Sequence, residues 1–410
     1  MPPSFFPAFA HTDIIPFFDN DRRETMSIRR LFPEEMQRRF LISLSFDEKI
    51  HYALNSGNGD PNALRVDNPR LNDVEDIFVD CGAFHYRNMK IPKLMKGPIV
   101  TARSVLRSYQ KRHIKRSNEI NFHLCAPDHI ITKDMDDEEA TDRRHWTLDK
   151  SEKFLRLVTD ENPEAIPVGV VHGRNLEERM SMLEQLIEIG FVNIAFGGLV
   201  PLSGNKDEIL GQIAGITSKN PEFISNESPL HLAKKKGCRI HMLGLGSPEW
   251  YQWCLRLGID SFDTAKLSQE GAASGWIWKL ENNQETLLDA PVSANQLYSK
   301  IATKKMGNVE WSGPEPRKAS FDDDNSTDAL VQSDGIGKYF LNARCTSEKC
   351  RHGPKSHVQD ARVTGSADHN MARTILNAHI FQQLMDTMDS FHTLSVEDET
   401  YSHWSEIPLE

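Results

Sequence analysis

The sequence predicts an α/β fold, a TIM (β/α)8 barrel, followed by a small C-terminal subdomain. Short apolar segments alternate with helical patterns at least seven times, and many of these segments end in Gly, Asp or His. This alternation is typical of a (β/α)8 barrel, in which functional residues lie at the carboxyl ends of the strands. A doubly wound open sheet is the alternative, but no G-x-G-x-x-G motif follows the first predicted strand.

The clearest unit of this alternation spans residues 166–198. The segment "IPVGVVHG" predicts a strand, and Asn175 is expected to cap the helix "LEERMSMLEQLIEI", with Glu178 placed for a reciprocal capping bond. Gly190 ends the helix, and "VNIAFGG" predicts the next strand. A strand, a helix and a strand in this order form a parallel crossover. The apolar residues of the helix are predicted to share one face: Leu176, Met180, Leu183 and Ile187.

Five further segments have the same apolar character and predict the remaining strands. Upstream these are "RRFLISLSF", "DIFVDCGAF" and "NFHLCAPD", and downstream they are "CRIHMLGLG" and "IDSFDTAKL". Between the last two, Ser247 and Pro248 are expected to start a helix as its cap and its first-turn proline, and Gly258 is expected to close it.

The chain divides into four predicted regions. Residues 1–306 are expected to form the barrel, with an N-terminal extension and the functional site. Residues 307–336 are rich in Gly, Pro, Ser and Asp and predict a flexible linker or insertion. Residues 337–395 predict a compact subdomain with a closing helix, and residues 396–410 a tail.

The composition is typical of a globular protein without a targeting segment. The N-terminus lacks the basic region of a signal peptide, and no apolar run approaches the ~18 residues of a membrane span. Six cysteines in 410 residues do not suggest a disulfide framework. We therefore expect a cytoplasmic protein whose thiols are reduced or bound to metal.

A carboxylate at the end of a buried strand marks the first candidate site. In "DIFVDCGAF" the apolar run stops at Asp80, three small residues follow, and then comes Phe84. Asp80 is interpreted either as the cap of a turn or as part of a pocket at the carboxyl end of a parallel strand.

The charge of the chain is uneven. A net charge of −11 argues against a protein that simply coats nucleic acid. Residues 87–116 nevertheless contain no Asp or Glu and predict either a local polyanion site or a solvated helix face. The cations of this run are Arg87, Lys90, Lys93, Lys96, Arg103, Arg107, Lys111, Arg112, Lys115 and Arg116.

Cysteine and histidine cluster in the C-terminal region, in "LNARCTSEKCRHGPKSH". Cys and His at short spacing, followed by a His in a later helical pattern, suit a tetrahedral Zn²⁺ site of structural type. We predict Cys345, Cys350, His352 and His379 as ligands, in preference to His357 and His369. Two reduced cysteines among surface histidines are the alternative.

Six motifs in one order resemble the tRNA-guanine transglycosylase superfamily. They are "VDCGAF", "APD", "GVVHG", "FGGL", "MLGLG" and "GIDSFD", and the resemblance covers about residues 75–385. The family carries D-S-G-G-[FY], a later Asp, G-I-Q-Q-G, G-G-L, M-G-V-G and G-[IV]-D-x-F-D on a TIM barrel, with a C-terminal zinc subdomain. The resemblance implies exchange of a guanine base for a 7-deazaguanine through a covalent glycosyl-enzyme.

The resemblance also implies a role for each matching residue. Asp263 matches the nucleophile, and Asp80 matches the general base. Asp128 matches the carboxylate that binds the guanine edge, and His172 stands where the family has a base-reading Gln. The other matching residues border the base: Phe84 and Leu243 as its sandwich, and Gly197, Gly198, Leu199 and Gly244 as its neighbours.

The chemistry of guanine suits these residue types. Its N1–H and N2–H₂ groups can donate to an ionised Asp128, and its O6 can accept from Gly198 N–H and His172. Asp263 can attack C1′ of the sugar, as the carboxylate of a retaining glycosidase does. Asp80 can take the N9 proton of the incoming base.

Departures from the family pattern favour its DNA-modifying branch. The family's P-T-R-x-x-R-N-G run, whose arginines hold an anticodon loop, is replaced here by "TAKLSQEGAASG", and G-G-L-A-V-G-E is replaced by "GGLVPLSG". The middle zinc Cys of the family is Ser347, and His379 lies three residues from the family's His. The DNA-modifying branch inserts 7-cyano-7-deazaguanine and depends on partner proteins. The resemblance therefore implies a partner ATPase or other proteins of a DNA-modification system.

The acid-free run supplies candidates for contacts with the DNA backbone. Lys90, Lys93 and Lys96 follow the Asp80 loop and are predicted to bind phosphates, with Arg103 and Arg107 behind them on the next helix.

Three alternatives remain open at the level of sequence. The protein is alternatively a tRNA or other RNA transglycosylase, a non-catalytic nucleic-acid-binding subunit, or an ordinary barrel enzyme that acts on a small metabolite. The presence of both Asp80 and Asp263 argues against the subunit, and the basic run argues against the metabolite enzyme.

Overall fold

A computed structural model describes residues 2–9, 32–44, 74–94, 98–112, 120–220, 223–270, 276–280, 298–302, 374 and 377–389. Eight strands alternate with helices along these ranges. The strands are β1 Ser4–Pro7, β2 Arg39–Ser43, β3 Asp76–Asp80, β4 Asn121–Cys125, β5 Ile166–Val171, β6 Asn193–Phe196, β7 Arg239–Met242 and β8 Ser261–Thr264.

The eight strands form one parallel sheet whose order follows the chain. From β2 to β8 each strand pairs with the next in sequence, and β1 pairs with β8. A parallel bridge between Ala8 and Leu41, with Phe9 N–H donating to Leu41 O at 3.0 Å, brings β1 beside β2. The sheet thus curls into a barrel, which confirms the predicted α/β TIM barrel and excludes the open sheet.

The helices lie between the strands, as expected for crossover connections. They are α1 Glu34–Arg38, α2 Ala83–Tyr86, α3 Ala102–Arg112, α4 Asp137–Glu161, α5 Leu176–Ile189, α6 Lys206–Ala214, α7 Pro229–Lys235, α8 Pro248–Arg256 and α9 Lys266–Ser268. A 3₁₀ turn, Val200–Leu202, follows β6.

Helix α5 shows how the local sequence determines an element. Asn175 Oδ1 accepts from Glu178 N–H at 2.9 Å, and Gly190 ends the helix at φ 113°, as the sequence predicts. Glu178 bonds back to Arg174 N–H at 2.8 Å, one residue before the expected partner. The prediction of which helix face is buried was wrong. The buried face is rotated about the helix axis relative to the predicted one and consists of Arg179, Met182, Leu183 and Leu186.

Alternate residues of each strand point into the barrel, as the two-residue period of a strand requires. The interior contains a compact apolar layer of Phe6, Leu41, Phe78, Cys125, Val168, Val170 and Ala195. His241 stacks on Phe78 within this layer, with ring centroids 4.0 Å apart. The filled interior directs any ligand to the mouth formed by the carboxyl ends of the strands.

The C-terminal part of the described chain packs on the outside of the barrel. Residues 377–389 form a helix, here α10, whose Phe381 lies against Phe5 of β1, with ring centroids 5.0 Å apart. A two-stranded antiparallel ribbon, β9 Trp276–Leu280 and β10 Tyr298–Ala302, adjoins it through Trp278 N–H, which donates to Asn377 Oδ1 at 2.9 Å.

The predicted linker, residues 307–336, and the predicted tail, residues 396–410, lie outside the described residues. Most of the predicted subdomain, residues 337–395, does so as well. Among the helices that are described, none combines the length and the apolar character needed to cross a membrane.

Candidate active site

Three predicted carboxylates lie at the carboxyl ends of barrel strands. Asp80 is the last residue of β3, Asp128 follows β4 by three residues, and Asp263 lies in β8. One oxygen of Asp80, one oxygen of Asp128 and the sulfur of Cys81 all lie within 4.8 Å of one another. Asp263 is close enough for its charge to act on Asp80. The barrel therefore brings together three residues that are separated by up to 183 positions in sequence (263 − 80).

Asp80 has the environment of a group that exchanges protons near neutral pH. Burial, followed by the negative charge of Asp128, raises the pKa of the Asp80 carboxyl to about 7, and the charge of Asp263 adds to this effect. Ser43, its register partner in β2, donates its hydroxyl to Asp80 Oδ2 at 2.7 Å. This bond orients the carboxyl and partly offsets the rise in its pKa.

Asp128 is buried, with 3% of its surface exposed. Each oxygen of its carboxylate has a hydrogen-bond partner. The Cys81 thiol donates to Oδ1 at 2.8 Å, and His172 Nε2 lies 2.6 Å from Oδ2. Burial, together with the charge of Asp128, raises the pKa of Cys81 well above its ordinary value, so the thiol keeps the proton that it donates. Tyr86 donates its hydroxyl to the backbone carbonyl of Asp128 at 2.9 Å and fixes the loop.

The His172 ring lies directly against the Gly197–Gly198 backbone. A Cβ at Gly197 would lie 2.6 Å from His172 Cε1, and Gly198 has a φ of 69°, which side chains rarely adopt. Arg179 donates to Gly197 O at 3.0 Å from behind. His172 Nδ1 is buried without a hydrogen-bond partner among the described residues. The glycines are therefore required for the close approach of β5 and β6 at the mouth.

Asp263 is held by a bond from the backbone and a bond from a buried histidine. Gly244 N–H donates to Asp263 Oδ1 at 2.8 Å, and His241 Nε2 lies 3.2 Å from the same oxygen. Burial lowers the pKa of His241, which keeps the ring neutral. Its Nδ1 lies 2.8 Å from Ser261 Oγ. When the Ser261 hydroxyl donates to Nδ1, the proton of the neutral imidazole lies on Nε2 and is donated to Asp263. Among the described residues, both of these contacts are made to Oδ1 of Asp263 rather than to Oδ2.

The residues predicted to border a base differ in their exposure. Phe84 is 54% exposed, and the Arg87 guanidinium lies 3.8 Å from its ring centroid. Leu243 is partly buried against the barrel interior, whereas the Leu199 side chain is fully buried. Leu243 and the exposed part of the Phe84 ring are thus available for stacking on a ligand, and Leu199 can contribute only its backbone.

The predicted phosphate-binding residues that the structure describes are exposed. Lys90 and Lys93 lie on the connection between β3 and α3, at the same end of the barrel as Asp80, and Arg107 is exposed on α3. Arg103 forms an ion pair with Glu161, so a phosphate would have to compete for it. Lys96 lies outside the described residues.

Most of the predicted zinc ligands also lie outside the described residues, namely Cys345, Cys350 and His352. His379 is buried in α10, with 6% of its surface exposed. Within the described ranges, the cluster of Asp80, Cys81 and Asp128 offers a possible metal-binding group. Its protonated thiol already donates to Asp128, and a structural zinc site would need a thiolate instead.

Sequence reasoning missed several supporting residues. Ser43 and His241 bond to the two catalytic candidates, Arg87 covers the ring of Phe84, and Cys81 and Tyr86 hold Asp128. His241 precedes Leu243 by two positions, and Ser261 precedes Asp263 by two. This spacing was an available signal, because residues two apart in a strand share one face.

Comparison with known proteins supports the resemblance that the motifs indicate. No protein-family model matches the chain. The chain is 28% identical to a DNA-guanine transglycosylase from Salmonella montevideo over 210 residues, which are 49% of this chain. The match spans 43% of the length of that relative. The resemblance of this chain to the guanine transglycosylases, and to their DNA-modifying branch, is thereby confirmed.

Proposed function

We propose that the protein exchanges guanine in DNA for a 7-deazaguanine base, with 7-cyano-7-deazaguanine as the favoured base. The observation that carries this proposal is the convergence of Asp80, Asp128 and Asp263 at one end of the barrel. Three carboxylates held close together, with Asp128 and Asp263 buried and Asp80 partly buried, are costly unless each has a distinct task. Base recognition, proton transfer and nucleophilic attack are three such tasks.

Recognition of the base is assigned to Asp128 and the residues around it. Guanine would donate N1–H and N2–H₂ to the Asp128 carboxylate, and Gly198 N–H would donate to O6. His172 was expected to contact O6 directly, but its Nε2 lies on Asp128 Oδ2, so its proposed role is to orient that carboxylate. Phe84 and Leu243 would stack on the faces of the base.

In the first half of the proposed reaction, Asp263 Oδ2 attacks C1′ of the target nucleotide. The C1′–N9 bond breaks, its electron pair stays on the guanine, and protonated Asp80 supplies the proton that neutralises the leaving base. The product is a glycosyl ester of Asp263, as in retaining glycosidases. Gly244 N–H and His241 hold Oδ1 and thereby fix the angle of attack.

The second half reverses these steps with another base. Ionised Asp80 takes the N9 proton of the 7-deazaguanine, N9 attacks C1′, and the bond from C1′ to Asp263 breaks. Asp80 is protonated again and Asp263 is free. A carboxyl with a pKa of about 7 suits both roles, because both of its protonation states are populated near neutral pH.

Base exchange with purified protein tests the proposal. Labelled guanine or 7-deazaguanine is incubated with single-stranded DNA, duplex DNA and tRNA, and the nucleosides are analysed by mass spectrometry. We expect label in DNA. Label in tRNA alone would favour an RNA transglycosylase, and label in neither would favour a non-catalytic subunit. A partner ATPase is also proposed, and its addition to each of these reactions forms a further arm of the experiment.

Reversal of two charges at the barrel mouth is expected to impair DNA binding. The Lys90→Glu, Lys93→Glu variant should lower affinity for DNA and reduce the log–log salt slope by about two units, one for each phosphate that the protein no longer neutralises. Binding of free 7-deazaguanine should persist. The matched control is Lys235→Glu with Lys236→Glu, which makes the same charge change before β7, at the opposite end of the barrel. Equal salt slopes for the two variants would contradict the predicted phosphate contacts.

Zinc is proposed as a structural cofactor, with one Zn²⁺ per chain held by Cys345, Cys350, His352 and His379. Cys350→Ser is then expected to lose zinc and to lower the melting temperature before it alters chemistry, because a closed site contributes folding free energy. Cys238→Ser, at a described cysteine before β7, should retain the metal. Elemental analysis that finds no zinc in the purified protein would refute the site.

A further inference from the structure

Large apolar side chains are exposed on the connection between β3 and α3. Ile91 is 58% exposed and Ile99 is 53% exposed. Both lie on the segment that follows Asp80 and Phe84, at the mouth of the barrel. The antiparallel bridge between Lys93 and Ile99 places Ile99 beside the arm that carries Ile91. Exposed apolar side chains on one segment beside a site indicate a surface for a partner or ligand.

This segment is held in place by the barrel. Val100 N–H donates to Pro92 O at 2.9 Å, and Leu94 N–H donates to Pro98 O at 3.1 Å, so the two arms 92–94 and 98–100 run antiparallel. Pro92 and Val100 are buried, and Arg143 of α4 donates to Arg87 O at 2.7 Å at the start of the segment. The backbone bonds therefore present Ile91 and Ile99 on a supported ridge.

The charges of the ridge suit a nucleic-acid partner. Lys90 and Lys93 are exposed on either side of Ile91, and no acidic residue occurs between positions 87 and 116. Lys90 also borders a groove that contains carboxylates from the start of α4, so Lys93 is the cation of the ridge without acidic neighbours in that groove. An apolar side chain flanked by cations is the arrangement with which proteins enter a base stack while holding the adjacent phosphates. A protein partner of an acidic chain would be equally attracted by the lysines, but the proposed substrate is itself a polyanion.

The depth of the nucleophile explains why such a ridge is needed. Asp263 is 5% exposed, so guanine stacked in a duplex cannot reach it. The target nucleotide must leave the stack, which costs unstacking and unpairing free energy. We propose that Ile91 and Ile99 form a wedge that fills the space left by the flipped guanine, while Lys90 and Lys93 hold the flanking phosphates. This inference rests on the proposed function and adds that the protein itself opens duplex DNA.

Three DNA substrates of one sequence test the wedge: a paired duplex, a duplex with an unpaired bubble at the target guanine, and a single strand. The variant is Ile91→Ser with Ile99→Ser, and the control is Val192→Ser, an apolar residue that is 63% exposed just before β6, at the other end of the barrel. Exchange of labelled 7-deazaguanine should fall by about tenfold or more on the paired duplex only. A 2-aminopurine next to the target should brighten with the native protein and not with the variant.

Each other outcome counts against a defined part of the proposal. Equal exchange by the variant and the native protein on the paired duplex would overturn the wedge. An equal fall in exchange by the variant on all three substrates would also overturn the wedge. It would mean that the isoleucines contribute to base binding or to folding. Native protein that modifies the bubble but never the paired duplex would assign opening to another protein. If the native protein exchanges no base on either the single strand or the bubble, the proposed function itself would be overturned.

Discussion

Replacing Asp263 by Asn is expected to lower base exchange by at least about 10⁴-fold, in line with the loss of other catalytic nucleophiles. The amide cannot form the ester with C1′, so the covalent intermediate disappears as well. The fold should persist, because Asn Oδ1 can still accept from Gly244 N–H and His241 Nε2. Exchange of labelled guanine measures the rate, and a denaturing gel of protein with labelled DNA detects the adduct.

A matched change nearby separates the nucleophile from its support. His241→Gln keeps a donor near Asp263 Oδ1 but alters its position, so kcat should fall far less than in the Asp263 variant while KM stays close to native. Normal exchange by Asp263→Asn would show that another group attacks the sugar, and the proposed mechanism would fail.

Replacing Asp80 by Asn is expected to reduce exchange by about 10²- to 10⁴-fold, the usual contribution of a general acid–base group. The residual reaction should depend less on pH. In the proposed mechanism, ionised Asp80 receives the N9 proton, so resolution of the adduct should slow as the pH falls below about 7. Rate–pH profiles of single-turnover resolution measure this. A native profile without a group that titrates near neutral pH would contradict the assignment.

The same substitution is expected to change stability in a direction that depends on pH. The Asp80 carboxyl has a pKa of about 7 in the folded chain, against an ordinary value of 3.8. Between these values the folded state binds a proton that the unfolded state releases, so the free energy of unfolding falls as the pH rises from about 4 to 7. Asp80→Asn removes the titrating carboxyl, and with it this decrease in the free energy of unfolding. We therefore expect a higher melting temperature than native at pH 8 and a similar one at pH 4.

Asp76, at the other end of β3, provides the control with the opposite sign. Burial alone raises the pKa of this carboxyl, but the hydrogen bond and charge of His123, with a bond from Arg39, lower it below 3.8. Its stabilising contribution is present above the ordinary carboxyl pKa. Asp76→Asn should thus lower the melting temperature at neutral pH. If both variants shift stability in the same direction, the pKa assignment of Asp80 is wrong.

The fold was predictable where strands consist of apolar runs between turn residues. All seven predicted strands are present, and the capping of α5 by Asn175 and Gly190 is confirmed. The eighth strand, β1, was missed because Ser4–Pro7 is short and begins one residue after a proline. Its strand conformation depends on pairing with β8, from which it is separated by more than 250 residues, and local sequence carries no such information.

The sequence motifs predicted which residues belong to the site but not the contacts among them. The structure brings Asp80 and Asp128 together and places Asp263 within electrostatic reach of them. Motif comparison did not indicate that His172 would bond to Asp128, because the position of the His172 ring depends on its contact with Gly197 and Gly198, which follow β6. Contacts between strands that are distant in sequence follow from barrel closure, which no single segment specifies.

The strand that carries Asp263 has neighbours from distant parts of the chain. Residues of β1 pair with β8, and Phe381 of α10 packs on Phe5 and Phe262. The edge and the outer face of β8 therefore depend on segments that are synthesised far apart in the chain. A nascent chain on the ribosome cannot cover Phe262 until residue 381 has emerged, and contacts of such long range form slowly. The barrel should therefore close around Asp263 only late in synthesis, and chains that end before residue 381 should leave the outer face of β8 without its cover.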